Sequence, residues 1–205
     1  MHSTELILAL DVPNADGLKT TLLNTPNSLS WLKIGLELFC AEGPGIIEAA
    51  GANGRRIFLD LKLHDIPRTV ERAVHAAARH HVGLLTVHAC GGRAMLEAAA
   101  RAARNIGQDA PKIIAVTALT SLNDQDLLDI GVMRATRDHV LCLADLALSA
   151  GVDGLVCSPH EVAALRLRFG RQPLLVVPGI RSATDQAGDQ KRTATAAEAT
   201  RAGAS

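Results

Sequence analysis

The chain has 205 residues, of which 48% are hydrophobic and 20% are charged, and its 21 basic residues match 21 acidic residues. This composition is typical of a globular protein and argues against intrinsic disorder. A net charge of zero argues against a general electrostatic attraction to nucleic acid or to anionic membranes. With no Tyr, one Trp and three Phe, the chain also lacks the aromatic platforms on which single-stranded bases stack.

The N-terminal region does not resemble a targeting segment. Its apolar run from Leu6 to Leu10 is short, follows no basic region and stops at Asp11. No other apolar stretch approaches the roughly 20 residues that span a bilayer. We therefore expect a soluble, cytoplasmic protein. The cysteines lie far apart without metal-ligand spacing, so we expect them to be buried and reduced. They are Cys40, Cys90, Cys142 and Cys157.

Short apolar runs alternate with longer Ala-rich segments along the whole chain. The runs predict seven strands. They cover Glu5–Asp11, Trp31–Gly35, Arg56–Lys62, Leu84–His88, Lys112–Ala118, Gly154–Cys157 and Leu174–Val177. No linker, low-complexity tract or change of composition interrupts this alternation. We therefore expect residues 1–205 to form a single domain.

Helical patterns fill the segments between the strands. After the third strand, Pro67 fits the first turn of a helix whose apolar face is predicted to carry Val70, Val74, Ala77 and His81. The next helix carries Met95, Ala99 and Ala102. Later helices are predicted around Asn123–Ile130, Asp138–Ala150, Pro159–Phe169 and Ala194–Ala202.

Seven successive β-then-α units predict a parallel sheet covered by helices, as in a doubly wound sheet or a TIM (β/α)8 barrel. We favour the barrel because polar residues follow nearly every strand, and a barrel gathers such residues at one mouth. They are Asp11, Lys33, Asp60, Lys62, His88, Thr120, Ser158 and Arg181. An eighth β-α unit is not found before Ser205. We therefore expect a barrel that is incomplete at its C-terminus.

The end of the third predicted strand carries an unusual set of charges. Strand alternation places Phe58, Asp60 and Lys62 on one face, and Asp65 follows three residues later. An acid and a base at the end of an apolar strand must satisfy each other, and such arrays are where proteins tune protonation for chemistry. A structural ion pair is the alternative. His64, His88 and the pair His80-His81 are predicted to be structural.

The motifs around these charges are similar to those of the orotidine 5′-phosphate decarboxylase family. The resemblance runs from Leu6 to Gly203 and includes Asp60-x-Lys62-x-x-Asp65-Ile66-Pro67. Its other motifs are Leu10-Asp11-Val12-Pro13, Lys33-Ile34-Gly35, Thr86-Val87-His88-Ala89, Leu119-Thr120-Ser121, Val177-Pro178-Gly179-Ile180-Arg181 and Gly188-Asp189-Gln190-Lys191-Arg192.

The resemblance implies decarboxylation of orotidine 5′-phosphate (OMP) to UMP in pyrimidine biosynthesis, without metal or cofactor. Lys62 would deliver the proton to C6, and Asp60 would lie against the substrate carboxylate. Lys33 would join the charged network and, with Asp11, bind ribose hydroxyls. The remaining implied contacts are Thr120 with the pyrimidine, and Arg181 and Gln190 with the phosphate.

The resemblance further implies a homodimer with shared active sites, in which Asp65, Ile66 and Thr69 reach into the partner's site. It also implies a phosphate-binding Arg after an eighth strand, a position that this sequence does not include. Two alternatives therefore stay open. One is a magnesium-dependent sugar-phosphate decarboxylase or aldolase on the same barrel, although Lys33 would stand where such enzymes place a metal-binding Glu. The other is a catalytically inactive, truncated barrel.

Overall fold

The computed structural model describes residues 4–181 and 193–205. Its sheet contains seven parallel strands in the order β1-β2-β3-β4-β5-β6-β7. They span Ile7–Ala9, Trp31–Ile34, Arg56–Leu63, Leu84–His88, Lys112–Val116, Gly154–Val156 and Leu174–Val176. Each strand lies within a predicted run or extends it by one residue. Because every strand pairs with its sequence neighbours, the barrel-like prediction is confirmed and the doubly wound alternative is wrong.

The described part of the chain contains nine α-helices. Numbered α1 to α9, they span Ala15–Leu23, Leu36–Glu42, Gly45–Gly51, Pro67–Ala78, Arg93–Ile106, Asp124–Asp129, Thr136–Ser149, Val162–Phe169 and Ala196–Ala202. Pro67 begins α4, and Val70, Val74 and Ala77 are buried as predicted. His81 lies beyond the end of α4 at φ 51°, so its predicted place on the helix face is wrong.

Apolar side chains on the two faces of the sheet form two separate clusters. Residues such as Leu32, Leu59 and Leu85 pack outward against the helices. A second cluster on the inner face joins Trp31, Phe58, Leu84 and Ile114 to residues of β1, β6 and β7. In a flat sheet with strands about 4.8 Å apart, β1 and β7 would be separated by nearly 30 Å. Their packing in one cluster shows that the sheet curls into a barrel-like, α/β fold.

The last two residues of the chain lie between β7 and the N-terminal segment. The backbone N–H of Ser205 donates to the carbonyl of Leu175 at 3.0 Å, and the Leu175 N–H donates to Ser205 Oγ at 3.1 Å. Thr4 Oγ1 donates to the carbonyl of Ala204 at 2.9 Å. Among the described residues, no strand pairs β7 with β1. Residues 204 and 205 thus provide the hydrogen bonds that connect the two ends of the curled sheet.

The prediction that all four cysteines are buried is wrong. Cys157 is buried, but Cys40, Cys90 and Cys142 are exposed, and all four are free thiols. The exposed three lie on α2, in a short 3-10 turn and on α7, where one side of each element faces solvent. Within residues 4–181 and 193–205, no helix has both the length and the apolar character needed to cross a membrane.

Candidate active site

The end of β3 departs from regular strand geometry at the predicted catalytic residues. Leu59 pairs with Leu85 and Leu63 pairs with Val87, so three residues, Asp60 to Lys62, lie opposite Thr86 alone. Lys62 takes a φ of 52°, in the left-handed region that non-glycine residues seldom adopt. The side chains nevertheless alternate as predicted, because Leu59, Leu61 and Leu63 pack with the outer cluster while Asp60 and Lys62 line a cavity on the other face. The bulge changes the register between β3 and β4 without changing the face on which Lys62 lies.

Asp60 lies at the centre of a set of hydrogen bonds and ion pairs. Its residue is only 9% exposed. Lys62 Nζ donates to Asp60 Oδ2 at 2.9 Å, and Lys33 Nζ lies 3.8 Å from the same oxygen. The hydroxyl of Thr86 donates to the other oxygen, Oδ1, at 3.0 Å. A buried carboxylate is costly unless it is paired and hydrogen-bonded, and here both oxygens have partners.

Lys33 extends this set toward the mouth of the barrel. Its ammonium lies 3.2 Å from Asp11 Oδ1, and the Asp11 side chain is 71% exposed. Gly35 follows closely, and a Cβ there would lie 3.2 Å from Lys33 Nζ. Along the set, the order Asp11, Lys33, Asp60, Lys62 alternates acid and base. Two carboxylates therefore balance two ammonium groups in one continuous array.

A cavity of about 680 Å³ lies over this array. Its volume fits a ligand of nucleotide size, since small-molecule pockets commonly measure about 300–1,000 Å³. It brings together six of the predicted site residues, which are Asp11, Lys33, Asp60, Lys62, Thr120 and Arg181. Thr120 is 8% exposed, while Arg181 is exposed and donates to the carbonyl of Ile180 at 2.9 Å. A larger groove of about 980 Å³ between α6 and α8 contains none of them.

Three of the predicted site residues are not part of this cluster. The carboxylate of Asp65 accepts a hydrogen bond from the Ile66 N–H at 2.7 Å, and both Asp65 and Thr69 are exposed. In the described part of the chain, the ion pairs of Lys62 within 4.0 Å include Asp60 but not Asp65. Gln190 lies outside the described residues. Asp65 and Thr69 are thus on the surface of the protomer, beside the bulge.

His88 lies close to the array without belonging to it. Its ring centroid is 5.5 Å from that of His64, with the rings tilted by 46°. Burial lowers the pKa of His88, the nearby His64 and Lys62 lower it further, and Asp60 raises it. A lowered pKa favours the neutral imidazole, so His88 adds no second cation beside Lys62 near neutral pH. The structural role of His88 stays a prediction.

Two other polar residues considered in the sequence, Ser158 and His80, do not line this cavity. Ser158 is buried and caps the short 3-10 turn Pro159–Glu161, where its N–H donates to Glu161 Oε2 at 2.7 Å. His80 Nδ1 lies 3.7 Å from Glu48 Oε1, just after α4. Within the described ranges, no group of three or more His, Cys, Asp and Glu residues is placed to hold a metal ion.

Comparison with known proteins identifies the family. A sequence model described as "Orotidine 5'-phosphate decarboxylase / HUMPS family" matches residues 4–205. The chain belongs to this family. An orotidine 5′-phosphate decarboxylase from Anaeromyxobacter sp. (strain K) is 49% identical over 202 residues, which are 98% of this chain and 87% of that protein. A Nostoc orotidine 5′-phosphate decarboxylase is 44% identical over all of this chain and 87% of its own length.

A solved structure in the family has the same fold. The orotidine 5′-phosphate decarboxylase of Lactobacillus acidophilus superposes with a TM-score of 0.86 at 36% identity, covering 98% of this chain and 88% of the other. The predicted family and the predicted (β/α) barrel are therefore confirmed, and the relatives are lyases by name. The individual roles of the site residues stay predictions.

Sequence reasoning assigned no role to one residue of the cluster, Thr86. The residue is fully buried, and its hydroxyl bonds to both Asp60 and Lys62. A Thr within the apolar run Leu84-Leu85-Thr86-Val87 was the available signal. The register that places it opposite the bulge is visible only in the structure.

Proposed function

We propose that this protein decarboxylates orotidine 5′-phosphate to UMP in pyrimidine biosynthesis, with Lys62 as the proton donor. Membership of the family supports the reaction. The observation that carries the assignment of residues is the 2.9 Å contact of Lys62 Nζ with Asp60 Oδ2 on the wall of the 680 Å³ cavity. A cation and a carboxylate held side by side beside a nucleotide-sized space suit a reaction that moves charge from a carboxylate to a carbon.

The reaction requires charged groups of the protein that are in position before the bond breaks. The bond between C6 of the pyrimidine and its carboxylate breaks, carbon dioxide leaves, and the electron pair stays on C6. No electron sink in the substrate takes up that pair, so a nearby cation must stabilise it. In our proposal the Lys62 ammonium does so and then transfers its proton to C6, and water later restores the proton to Lys62. Asp60 faces the substrate carboxylate and holds the ammonium in place before the reaction.

The other cavity residues are proposed to hold the substrate. Asp11 and Lys33 bind the ribose hydroxyls, Thr120 contacts the pyrimidine, and Arg181 binds the phosphate. All four residues line the same cavity, which supports this arrangement. Binding energy from the phosphate, remote from C6, can then keep the reacting end in place during the reaction. Gln190, also proposed as a phosphate ligand, lies outside the described residues.

We also propose a homodimer with shared active sites. Asp65, Ile66 and Thr69 are all exposed beside the bulge, and Ile66 is 67% exposed. A large apolar side chain between two polar ones on the surface is what an interface would cover. In the dimer, Asp65 would approach Lys62 of the partner subunit, so that each ammonium lies between two carboxylates. The cytoplasmic location and the absence of a nucleic-acid partner stay predictions.

The decisive assay follows the absorbance of OMP with the purified protein in excess EDTA. We expect full turnover to UMP, because the ammonium of Lys33 lies within 4 Å of Asp60 and Asp11 and would repel a metal ion there. Activity that disappears in EDTA and returns with Mg²⁺ would favour the sugar-phosphate alternative instead. Binding of UMP without turnover of OMP would identify an inactive barrel.

A further inference from the structure

The hydroxyl of Thr86 is the only side-chain group in the described site that bonds to both Asp60 and Lys62. Thr86 lies on β4 and is 0% exposed. Its Oγ1 accepts from the backbone N–H of Lys62 at 2.8 Å and donates to Asp60 Oδ1 at 3.0 Å. A hydroxyl has a single proton to donate. Because the N–H of Lys62 can only donate, that proton is directed at Asp60, and the two bonds have a fixed direction.

The bond to Lys62 acts on a strained part of the backbone. Lys62 has φ 52° within a bulge that sets three residues of β3 against Thr86 alone. A non-glycine residue in this region costs of order 1 kcal/mol or more and persists only when its surroundings hold it. The Thr86 hydroxyl receives the N–H of that residue. It therefore supports the conformation from which the Lys62 side chain reaches Asp60.

The bond to Asp60 determines which carboxylate oxygen meets the cations. With Oδ1 accepting from Thr86, Oδ2 faces Lys62 at 2.9 Å and Lys33 at 3.8 Å. Rotation of the carboxylate would break the Thr86 bond as well as the ion pair. A neutral hydroxyl thus fixes the orientation of a carboxylate without adding charge to the array.

We propose that Thr86 is a positioning residue, which sets the Lys62 ammonium and the Asp60 carboxylate in their reactive geometry through its single hydroxyl. The expected effect on kcat rests on the proposed decarboxylation. The expected effect on the position of Lys62 does not depend on that reaction. Misplacing a reacting group by about 1 Å can slow an enzyme about a hundredfold.

Thr117 offers a matched control. It is also a buried threonine, 3% exposed, and its hydroxyl donates to the carbonyl of Val156 at 3.0 Å, away from the charged array. Replacing threonine with valine removes the hydroxyl but keeps the branched shape. Thr86→Val and Thr117→Val therefore each lose one buried hydroxyl. The first alone disturbs Lys62 and Asp60.

The experiment measures kcat, KM and thermal unfolding for the wild type, Thr86→Val, Thr86→Ser and Thr117→Val. We expect Thr86→Val to lower kcat about a hundredfold with a much smaller change in KM. Thr86→Ser keeps the hydroxyl, so it should stay within about fivefold of wild-type kcat. Thr117→Val should lose thermal stability without a comparable loss of kcat. A crystal structure of Thr86→Val should show Lys62 displaced from φ near 50° or its ammonium moved away from Asp60.

Several outcomes would overturn the proposal. They are a Thr86→Val protein with near-normal kcat, an equal loss in Thr86→Ser, and a loss confined to KM. If the wild type does not decarboxylate OMP at all, the proposed function fails, and the crystal structure then decides this inference by itself. An unchanged Lys62 backbone and an unchanged ion pair in Thr86→Val would refute the role of Thr86.

Discussion

Lys62 and Asp60 are separated by a single residue and lie on the same face of β3, where their side chains meet at 2.9 Å. Lys62 has a backbone φ in the left-handed region, and Asp60 is only 9% exposed. Both features are costly on their own. Their coincidence at the cavity wall is the physical reason to place the chemistry at this pair.

Replacing Lys62 with alanine should nearly abolish turnover of OMP while leaving the affinity for UMP much less affected. Loss of a general acid typically costs about 10²- to 10⁴-fold, and here the same cation also stabilises the charge on C6. Steady-state kinetics and calorimetric titration of UMP measure the two effects. Lys19→Ala, which removes an exposed ammonium 3.2 Å from Asp16, serves as the control with normal kinetics. Near-normal turnover in Lys62→Ala would disprove its role as proton donor.

Mixing two inactive proteins tests the shared active site. Asp60→Ala and Asp65→Ala should each be inactive, but their heterodimer contains one site without either substitution. If subunits exchange freely in an equal mixture, about half of the dimers are heterodimers, and each heterodimer has one intact site of two. We therefore expect about a quarter of wild-type activity. A mixture of Asp60→Ala with Lys62→Ala is the control and should stay inactive, because both residues serve the site of their own subunit. No recovery despite demonstrated exchange would place Asp65 outside the partner's site.

Gly154 is predicted to be required for the pairing of β6 with β7. An added Cβ at Gly154 would lie 2.4 Å from the Leu174 carbonyl oxygen and 2.7 Å from Leu174 Cβ. Gly154→Ala should therefore destabilise the fold by about 1–3 kcal/mol, as overpacked cores do. Gly45→Ala is the control, since a Cβ there meets nothing within 4 Å. Denaturant unfolding gives the unfolding free energy of both variants. Equal values for Gly154→Ala and Gly45→Ala would contradict the predicted clash.

The stability contributed by Glu5 should depend on pH. Arg56 Nη2 donates to Glu5 Oε1 at 2.6 Å and Trp31 Nε1 donates to Oε2 at 2.7 Å, and these bonds hold the pKa of Glu5 below its ordinary value. A depressed pKa stabilises the folded protein above the unfolded pKa of about 4.3, and the effect is lost as the pH falls through the folded pKa.

The measurement compares the unfolding free energy of the wild type with that of Glu5→Gln. We expect the wild type to be more stable at pH 7, and the difference to shrink at pH 3. The Glu5 side chain is 47% exposed, so the advantage should be about 1 kcal/mol or less. A difference that stays the same at both pH values would contradict this account.

The sequence predicted the strands and the charged residues well, because both depend on local patterns. Apolar runs bounded by turns identified all seven strands, and Asp60 and Lys62 were found as neighbours at a strand end. Alternation correctly predicted the face on which Lys62 lies, but the irregular register between β3 and β4 was not predicted. The contacts of Thr86 depend on that register, so its role was missed. The sequence also did not predict that Cys40 and Cys142 are exposed, because their exposure depends on which side of a helix faces solvent.

The contact between Thr4 and Ala204 has a consequence for how the chain folds. All seven strands pair in sequence order, so each βα unit can add to the one before it as the chain emerges, with only short loops to close. The Thr4–Ala204 hydrogen bond spans 200 positions. Because Thr4 precedes β1 and Ser205 is bonded to β7, we expect this bond to form only once the curled sheet brings these two strands together. Amide hydrogen exchange at Ser205, bonded beside it to β7, would then report on completion of the sheet rather than on its nucleus.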